Sequence, residues 1–139
     1  MRNPPGAGNE QEAEAEGGNW RSPRNLYMNG GEIFTFTLRV IPQSVDRLLK
    51  EWGQPVEAVD HFVFHQANRF MLEKLRGKLK LPDEKFWISM ESCGNTVSST
   101  IPMVLEQGLG SGRMKRGDRL MLMGFGVGYS WAGAMLRVA

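Results

Sequence analysis

The chain has 139 residues, 41% of them hydrophobic and 23% charged, with a formal net charge of +2. That length suits one domain, and so mild a charge argues against a nucleic-acid binder, as does the lack of any basic-aromatic repeat. A single cysteine, Cys93, excludes an internal disulfide and a cysteine-based zinc site, and fits a reducing, cytoplasmic setting. No secretory apolar region follows Met1, and no apolar run is long enough to span a bilayer.

Residues 1–25 hold few large apolar side chains, with Pro4-Pro5-Gly6 and a Glu-Ala run closing on Gly17-Gly18. Such a stretch buries too little surface to offset its ordering entropy, so a loop or disordered tail is expected there. Residues 26–139 form the domain. Phe34, Leu38, Ile41, Val45, Leu48 and Trp52 recur at steps of three and four, one face of a helix, with a kink expected near Leu38 because Pro42 lies inside it. Gly53 and Pro55 end it. Phe62-Val63-Phe64 is a short buried strand. Residues 67–79 are helical, with Met71, Leu72, Leu75 and Leu79 on the apolar face.

Phe86–Met90 is expected as a second strand. Ser98 or Ser99 would cap a helix that buries Ile101, Val104, Leu105 and Leu109, with Pro102 in its first turn and Gly108, Gly110 and Gly112 closing it. Arg119–Phe125 and Tyr129–Val138 are two apolar strands joined by a glycine turn. The order α-β-α-β-α-β-β implies a mainly parallel sheet with helical crossovers and a final antiparallel hairpin. Ligands in such sheets sit at the carboxyl ends of strands, where His65 and Asn95 both fall.

Two signatures stand out, His65-Gln66-Ala67-Asn68 and Gly94-Asn95-Thr96, followed by Gly124-Phe125-Gly126-Val127-Gly128-Tyr129-Ser130-Trp131. A histidine and an asparagine can both donate to one carbonyl oxygen, and neighbouring glycines let backbone N–H groups approach it, which is the equipment of an oxyanion site. Each motif alone is weak. A histidine after a buried strand is more often structural, and Gly-Asn in a turn is commonplace. Gly124-x-Gly126-x-Gly128 joins two strands rather than a strand and a helix, which argues against a dinucleotide binder.

In this order and spacing, together with Leu26–Gly30, Phe34, Arg39–Pro42 and Arg113–Asp118, the motifs resemble the C-terminal half of the type III β-ketoacyl-acyl carrier protein synthases, which have the thiolase-like α/β fold. The resemblance implies an acyltransferase of fatty acid biosynthesis. A cysteine takes an acyl group from acyl-coenzyme A. A malonyl-carrier thioester then loses carbon dioxide, and the enolate attacks the acyl-cysteine. It implies catalytic roles for His65 and Asn95 on the malonyl thioester oxygen, an apolar wall at Phe125, and an oxyanion-hole N–H at Val127 beside Gly126. No cofactor or metal is implied.

The implied partners are acyl carrier protein, the nucleophile-bearing N-terminal half, and a second copy in the full-length homodimer. Arg69, Arg76 and Lys80 share a helical face where an acidic carrier could dock. The family's first central strand is expected to be missing, leaving a gap in the sheet. Cys93, two residues before Asn95, does not match the nucleophile and is expected as a small packed residue. His61 is expected to cap its strand at the surface. The isolated chain is expected to be inactive. Two classes stay open, a segment of a condensing enzyme and a non-catalytic remnant or carrier-binding module of the same fold.

Overall fold

A computed structural model describes residues 13–15, 19–22, 28–126 and 128–139. Two short strands, β1 (Ala13–Ala15) and β2 (Asn19–Arg21), pair antiparallel, with Glu14 opposite Trp20. This corrects the expectation of a loop or disordered tail for those residues. Apart from Ser22, the rest of 1–25 lies outside the described residues, as do Leu26 and Tyr27.

Helix α1 (Gly30–Trp52) runs through Pro42. Asn29 caps its start by accepting from the Glu32 N–H at 3.2 Å. Gly53 ends it at φ 72°, the left-handed conformation that glycine adopts at little cost. Strand β3 (His61–Phe64) leads into α2 (Arg69–Leu79), whose start is capped by the Asn68 carboxamide oxygen, 2.8 Å from the Met71 N–H. Helix α3 (Thr100–Gly110) follows a single 3₁₀ turn at Val97–Ser99. Ser99 occupies the cap position but makes no side-chain capping bond. Strands β4 (Arg119–Gly126) and β5 (Ser130–Arg137) close the chain.

The three-stranded sheet has the order β3-β4-β5, with β3 parallel to β4 and β4 antiparallel to β5. The two-residue period of β4 splits the core in two. Met121, Met123 and Phe125 join Phe62, Phe64 and the inner faces of α1 and α2. Leu120 and Leu122 join Val63, Trp87 and Val104 on the α3 side. Helices therefore cover both faces of the sheet, as the alternation of elements requires. The expected interior gap is not present among the described strands. β5 instead forms one edge, its side chains mostly exposed, including Trp131 and Leu136.

Helix α3 differs from the expectation in its inner face. Thr100, Val104 and Gly108, four apart, are buried, whereas Leu109 is 50% exposed. Gly108 is an inner position of the helix and not its end. A Cβ there would lie 2.5 Å from the Met114 sulfur. Gly112, at φ 70°, turns the chain afterwards.

The expected strand at Phe86–Met90 is corrected to one parallel bridge, Phe62 to Phe86. The ladder starts, with Phe62 N–H on Lys85 O and Trp87 N–H on Phe62 O. It then stops because a side chain takes its place. Gln66 is 1% exposed and lies at the two-residue step that follows Phe62 and Phe64. Its amide nitrogen donates to Phe64 O at 2.7 Å and Trp87 O at 3.2 Å, and its oxygen accepts from the Ser89 N–H at 2.8 Å. The two segments thus spread apart at their carboxyl ends while Phe64 O, Trp87 O and the Ser89 N–H keep partners.

Gln66→Met would leave two carbonyls and one N–H unpaired, at about 1–3 kcal/mol for each buried orphan. The urea midpoint is expected to fall, reflecting a loss of about 3–9 kcal/mol in unfolding free energy; an unchanged midpoint would count against the bridge. Gln66→Glu sets a carboxylate against two carbonyls, which raises its folded pKa above the ordinary value of about 4.3. That variant should therefore regain stability as pH falls through the raised folded pKa, where the carboxyl takes up its proton. A pH series of melts measures it. At the α1–β5 contact, a Cβ on Gly133 would meet the Met123 methyl at 2.8 Å and the Leu48 methyl at 3.1 Å. Gly133→Val is expected to cost about 1–3 kcal/mol by overpacking, read from the same melts.

Candidate functional site

The site begins with strand parity. His61 and Val63 point to the α3 face of the sheet, and His65, two residues on, continues on that side. Its backbone N–H is held by Met123 O at 2.8 Å, which ties the end of β3 to β4. The ring then meets the first residue of α3, with Nδ1 2.7 Å from the Thr100 hydroxyl. Thr100 is 3% exposed and its hydroxyl donates to Val97 O at 3.0 Å. The edge of the imidazole also meets the Phe125 ring, with centroids 5.4 Å apart and planes at 81°. Burial lowers the His65 pKa from its ordinary 6.5, and proximity to the Val97 carbonyl offsets this in part. The ring is therefore a neutral donor or acceptor near pH 7.

Asn95 follows the turn Glu91–Cys93 and Gly94, whose φ of 61° reverses the chain. Its carboxamide oxygen accepts from the Val97 N–H at 2.9 Å. That bond fixes the amide orientation, because an N–H can only be met by the oxygen, and it leaves the Nδ2 group as the outward donor. Val97 thus engages both candidates. Its N–H holds Asn95, and its carbonyl holds His65 through Thr100. A valine at φ 57° is an outlier for a β-branched residue, at a cost of order 1–3 kcal/mol. Its side chain is 73% exposed, so packing does not impose that conformation.

Of the expected site residues, His65 meets Phe125 directly and is linked to Asn95 through Thr100 and Val97. Gly126 ends β4, paired with Ser130. Val127 lies outside the described residues. Arg69 is engaged by Glu91 and Glu73, and Arg76 by Asp83. Lys80 is exposed at the end of α2, at φ 54°. Two expectations are corrected. Cys93 is exposed rather than packed, because it lies on the outer side of the turn before Gly94. His61 is no surface cap. Its side chain is 12% exposed, with Nε2 3.0 Å from Asp118 and Nδ1 accepting from the Trp87 indole at 3.2 Å.

Sequence reasoning missed Thr100 and Gln66. Both were signalled by period, Thr100 by its four-residue step to Val104 and Gly108, and Gln66 by its two-residue step from Phe64. Val97 carried no signal, since its conformation comes from the loop around it. Among the described residues no group of three or more His, Cys, Asp or Glu could hold a metal ion. Among them too, no helix is long and apolar enough to cross a membrane.

Comparison with known proteins identifies the family. Residues 49–138 match the family model for the C-terminal part of 3-oxoacyl-[acyl-carrier-protein] synthase III. The chain is 41% identical over 112 residues to β-ketoacyl-[acyl-carrier-protein] synthase III 1 of Bacillus cereus, covering 81% of this chain and 36% of that protein. It is 34% identical over 112 residues to the chloroplastic β-ketoacyl-[acyl-carrier-protein] synthase III of Arabidopsis thaliana, covering 81% of this chain and 28% of that one. A crystal structure of a 3-oxoacyl-(acyl-carrier-protein) synthase III superposes with a TM-score of 0.88 at 53% identity, over 96% of this chain and 40% of the other. The chain spans about a third of the length of these curated relatives. With the matched segment containing both His65 and Asn95 on a common α/β framework, the chain belongs to the 3-oxoacyl-[acyl-carrier-protein] synthase III family.

Proposed function

We propose that this chain is the portion of a synthase III acyltransferase that supplies His65 and Asn95 for decarboxylative condensation of a malonyl-carrier thioester with an acyl-enzyme. One observation carries the reading, the hydrogen-bonded series from His65 through Thr100 and Val97 to Asn95. It links the imidazole, kept neutral by burial, to the Asn95 amide through one loop, which supports a shared role for the two. When the malonyl carboxylate leaves as carbon dioxide, the electron pair of the broken C–C bond becomes an enolate with its charge on the thioester oxygen. N–H groups of His65 and Asn95 directed at that oxygen stabilise the charge as it develops. Each such donor contributes about 3–4 kcal/mol to lowering a barrier of this kind. The enolate carbon then attacks the acyl thioester, and the enzyme thiolate leaves.

The nucleophilic thiol comes from a part of the synthase other than these residues. Cys93, the only cysteine, is exposed in a turn with no helix beginning at it. A nucleophilic thiolate needs a helix N-terminus or an adjacent base. Among the described residues no further strand pairs with the outer edge of β5, and that edge, with the exposed Trp131 on it, suits docking of the nucleophile-bearing half. A carrier at the α2 face would compete with Glu73, Glu91 and Asp83 for the two arginines, which leaves Lys80 as its more accessible cation.

In the complete synthase, His65→Ala is expected to lower carbon dioxide release from malonyl carrier by about 10²–10³ fold while acyl transfer to the cysteine survives. Carbon dioxide release and acyl-enzyme mass are measured together, and loss of acyl-enzyme with decarboxylation intact would reverse the assignment. The chain by itself is expected to condense nothing from acyl-coenzyme A and malonyl carrier; turnover by the purified chain alone would place the nucleophile within it.

Acidification supplies another check. The unfolded His65 takes up a proton near its ordinary pKa of 6.5, and the folded one only at lower pH. Its contribution to stability is thus fully present above pH 6.5 and is lost as pH falls through the folded pKa. His65→Gln should flatten that part of the stability profile, measured by denaturant midpoints from pH 7.5 downward.

A further inference from the structure

We propose that Arg69 and Glu91 are positioning residues, whose ion pair ties the turn leading to Asn95 to the start of α2. The inference rests on the donor role proposed for Asn95 and refines it. At the base of the opening, Gln66 holds the two diverging segments through Phe64, Trp87 and Ser89. Beyond Ser89 the chain leaves the α1–α2 side, where Met90 packs, and crosses over toward α3. Glu91 is the first residue of that crossing, and Arg69 is the first residue of α2. The Arg69 guanidinium spans the opening and pairs with the Glu91 carboxylate.

Both ends of the tie are anchored in backbone. Asn68 caps α2 at 2.8 Å, so Arg69 rises from a fixed helix start. Across the opening, the other Glu91 carboxylate oxygen accepts from the Met90 N–H at 3.1 Å, and Met90 O accepts from the Gly94 N–H at 3.0 Å. The carboxylate that meets Arg69 therefore moves with the turn. The N–H groups of Glu91 itself and of Met90, and after them the Arg69 guanidinium, hold the Glu91 carboxyl below its ordinary pKa, which keeps it ionised near neutral pH. Glu73, four residues along α2, lies 3.9 Å from the same guanidinium. Without the cation, the two carboxylates gathered around it repel. The paired side chains are 51% and 67% exposed, so the pair contributes little to holding the domain together and biases only the position of a turn. Gln66 stabilises the fold, whereas this pair sets how constantly the Asn95 amide is in place.

Cys93 lies exposed within the turn, and as the single cysteine it takes a nitroxide spin label without any substitution. The line shape of that label reads the motion of the turn. It should show restraint in the unsubstituted chain. Arg69→Gln and Glu91→Gln, the latter keeping an acceptor for the Met90 N–H, should mobilise it equally, and the double variant no further. Arg69→Lys, which keeps the charge, should stay near the unsubstituted protein, and thermal midpoints should hold throughout. A label as restrained in Arg69→Gln as without it overturns the proposal. In the complete synthase, Arg69→Gln should lower kcat for carbon dioxide release at saturating malonyl carrier about two- to fivefold, the factor an exposed ion pair carries, with acyl transfer to the cysteine unaffected. The unsubstituted synthase should lose a similar factor in about 1 M salt, where the screening length is about 3 Å, and Arg69→Gln should lose nothing further. An unchanged kcat in Arg69→Gln, with release lost in Asn95→Ala, defeats this inference alone. Release that survives Asn95→Ala defeats the donor reading of Asn95 first.

Discussion

Parallel strands that continue side by side leave no room between their ends, and a ligand site at those ends needs them to part. Parting exposes buried backbone groups that must find other partners. In this chain one carboxamide answers that demand. Gln66 donates to Phe64 O and Trp87 O and accepts from the Ser89 N–H, in place of the ladder that Phe62 and Phe86 begin. An amide is the one neutral side-chain group with two donors and an acceptor. Neither a hydroxyl nor a carboxylate could satisfy all three atoms. The direction of β3 as it delivers His65, and the start of the segment that leads to Asn95, both depend on that bridge.

Beyond the bridge, control passes to the loop before α3. Asn95 and His65 come from distant parts of the sequence, and both end on the peptide groups of Val97. This couples their orientations more tightly than independent packing could. A loop residue that holds two candidate site side chains by backbone bonds has little need of its own side chain, in keeping with the exposure of Val97. The strain at its φ is a local expense of that arrangement, and strain kept at such a place is a common mark of a working site.

Much of this was legible in the sequence, for identifiable reasons. α1, α2 and α3 follow from hydrophobic period, because each buries one face and therefore repeats at its own spacing, while the strand before His65 and the final hairpin follow from short apolar runs bounded by turns. Asn29 and Gly53 bound α1 through ordinary capping chemistry. The failures share a different cause. Phe86–Met90 has the composition of a strand, yet its pairing partner is a glutamine side chain, and composition does not report who the partner is. Leu109 looked internal by hydrophobicity, but the step of four from Thr100 through Val104 to Gly108 turns it outward. Cys93 looked small enough to pack, yet the turn completed by Gly94 leaves it outside. Of the site, the residue types of His65, Asn95 and Phe125 were visible. The hydroxyl and carbonyl that orient the first two were not, since both depend on the loop conformation.

The two histidines show how much the surroundings decide. They lie four residues apart at opposite ends of β3, on the same face of the sheet. His61 is held at both ring nitrogens, by the Trp87 indole as donor and by Asp118 as acceptor, so its tautomer is settled and its hydrogen bonds are taken. Arg113 stacks on the far partner, its guanidinium 4.0 Å from the Trp87 ring centroid, and closes that end further. Among the described residues His65 is hydrogen-bonded at Nδ1 alone and flanked by the edge-on Phe125, which leaves its second nitrogen for an incoming group. A histidine locked at both nitrogens holds a fold together, and one locked at a single nitrogen can act on a ligand. On this strand the amino end carries the first kind and the carboxyl end the second, which is where sheets of this class place their chemistry.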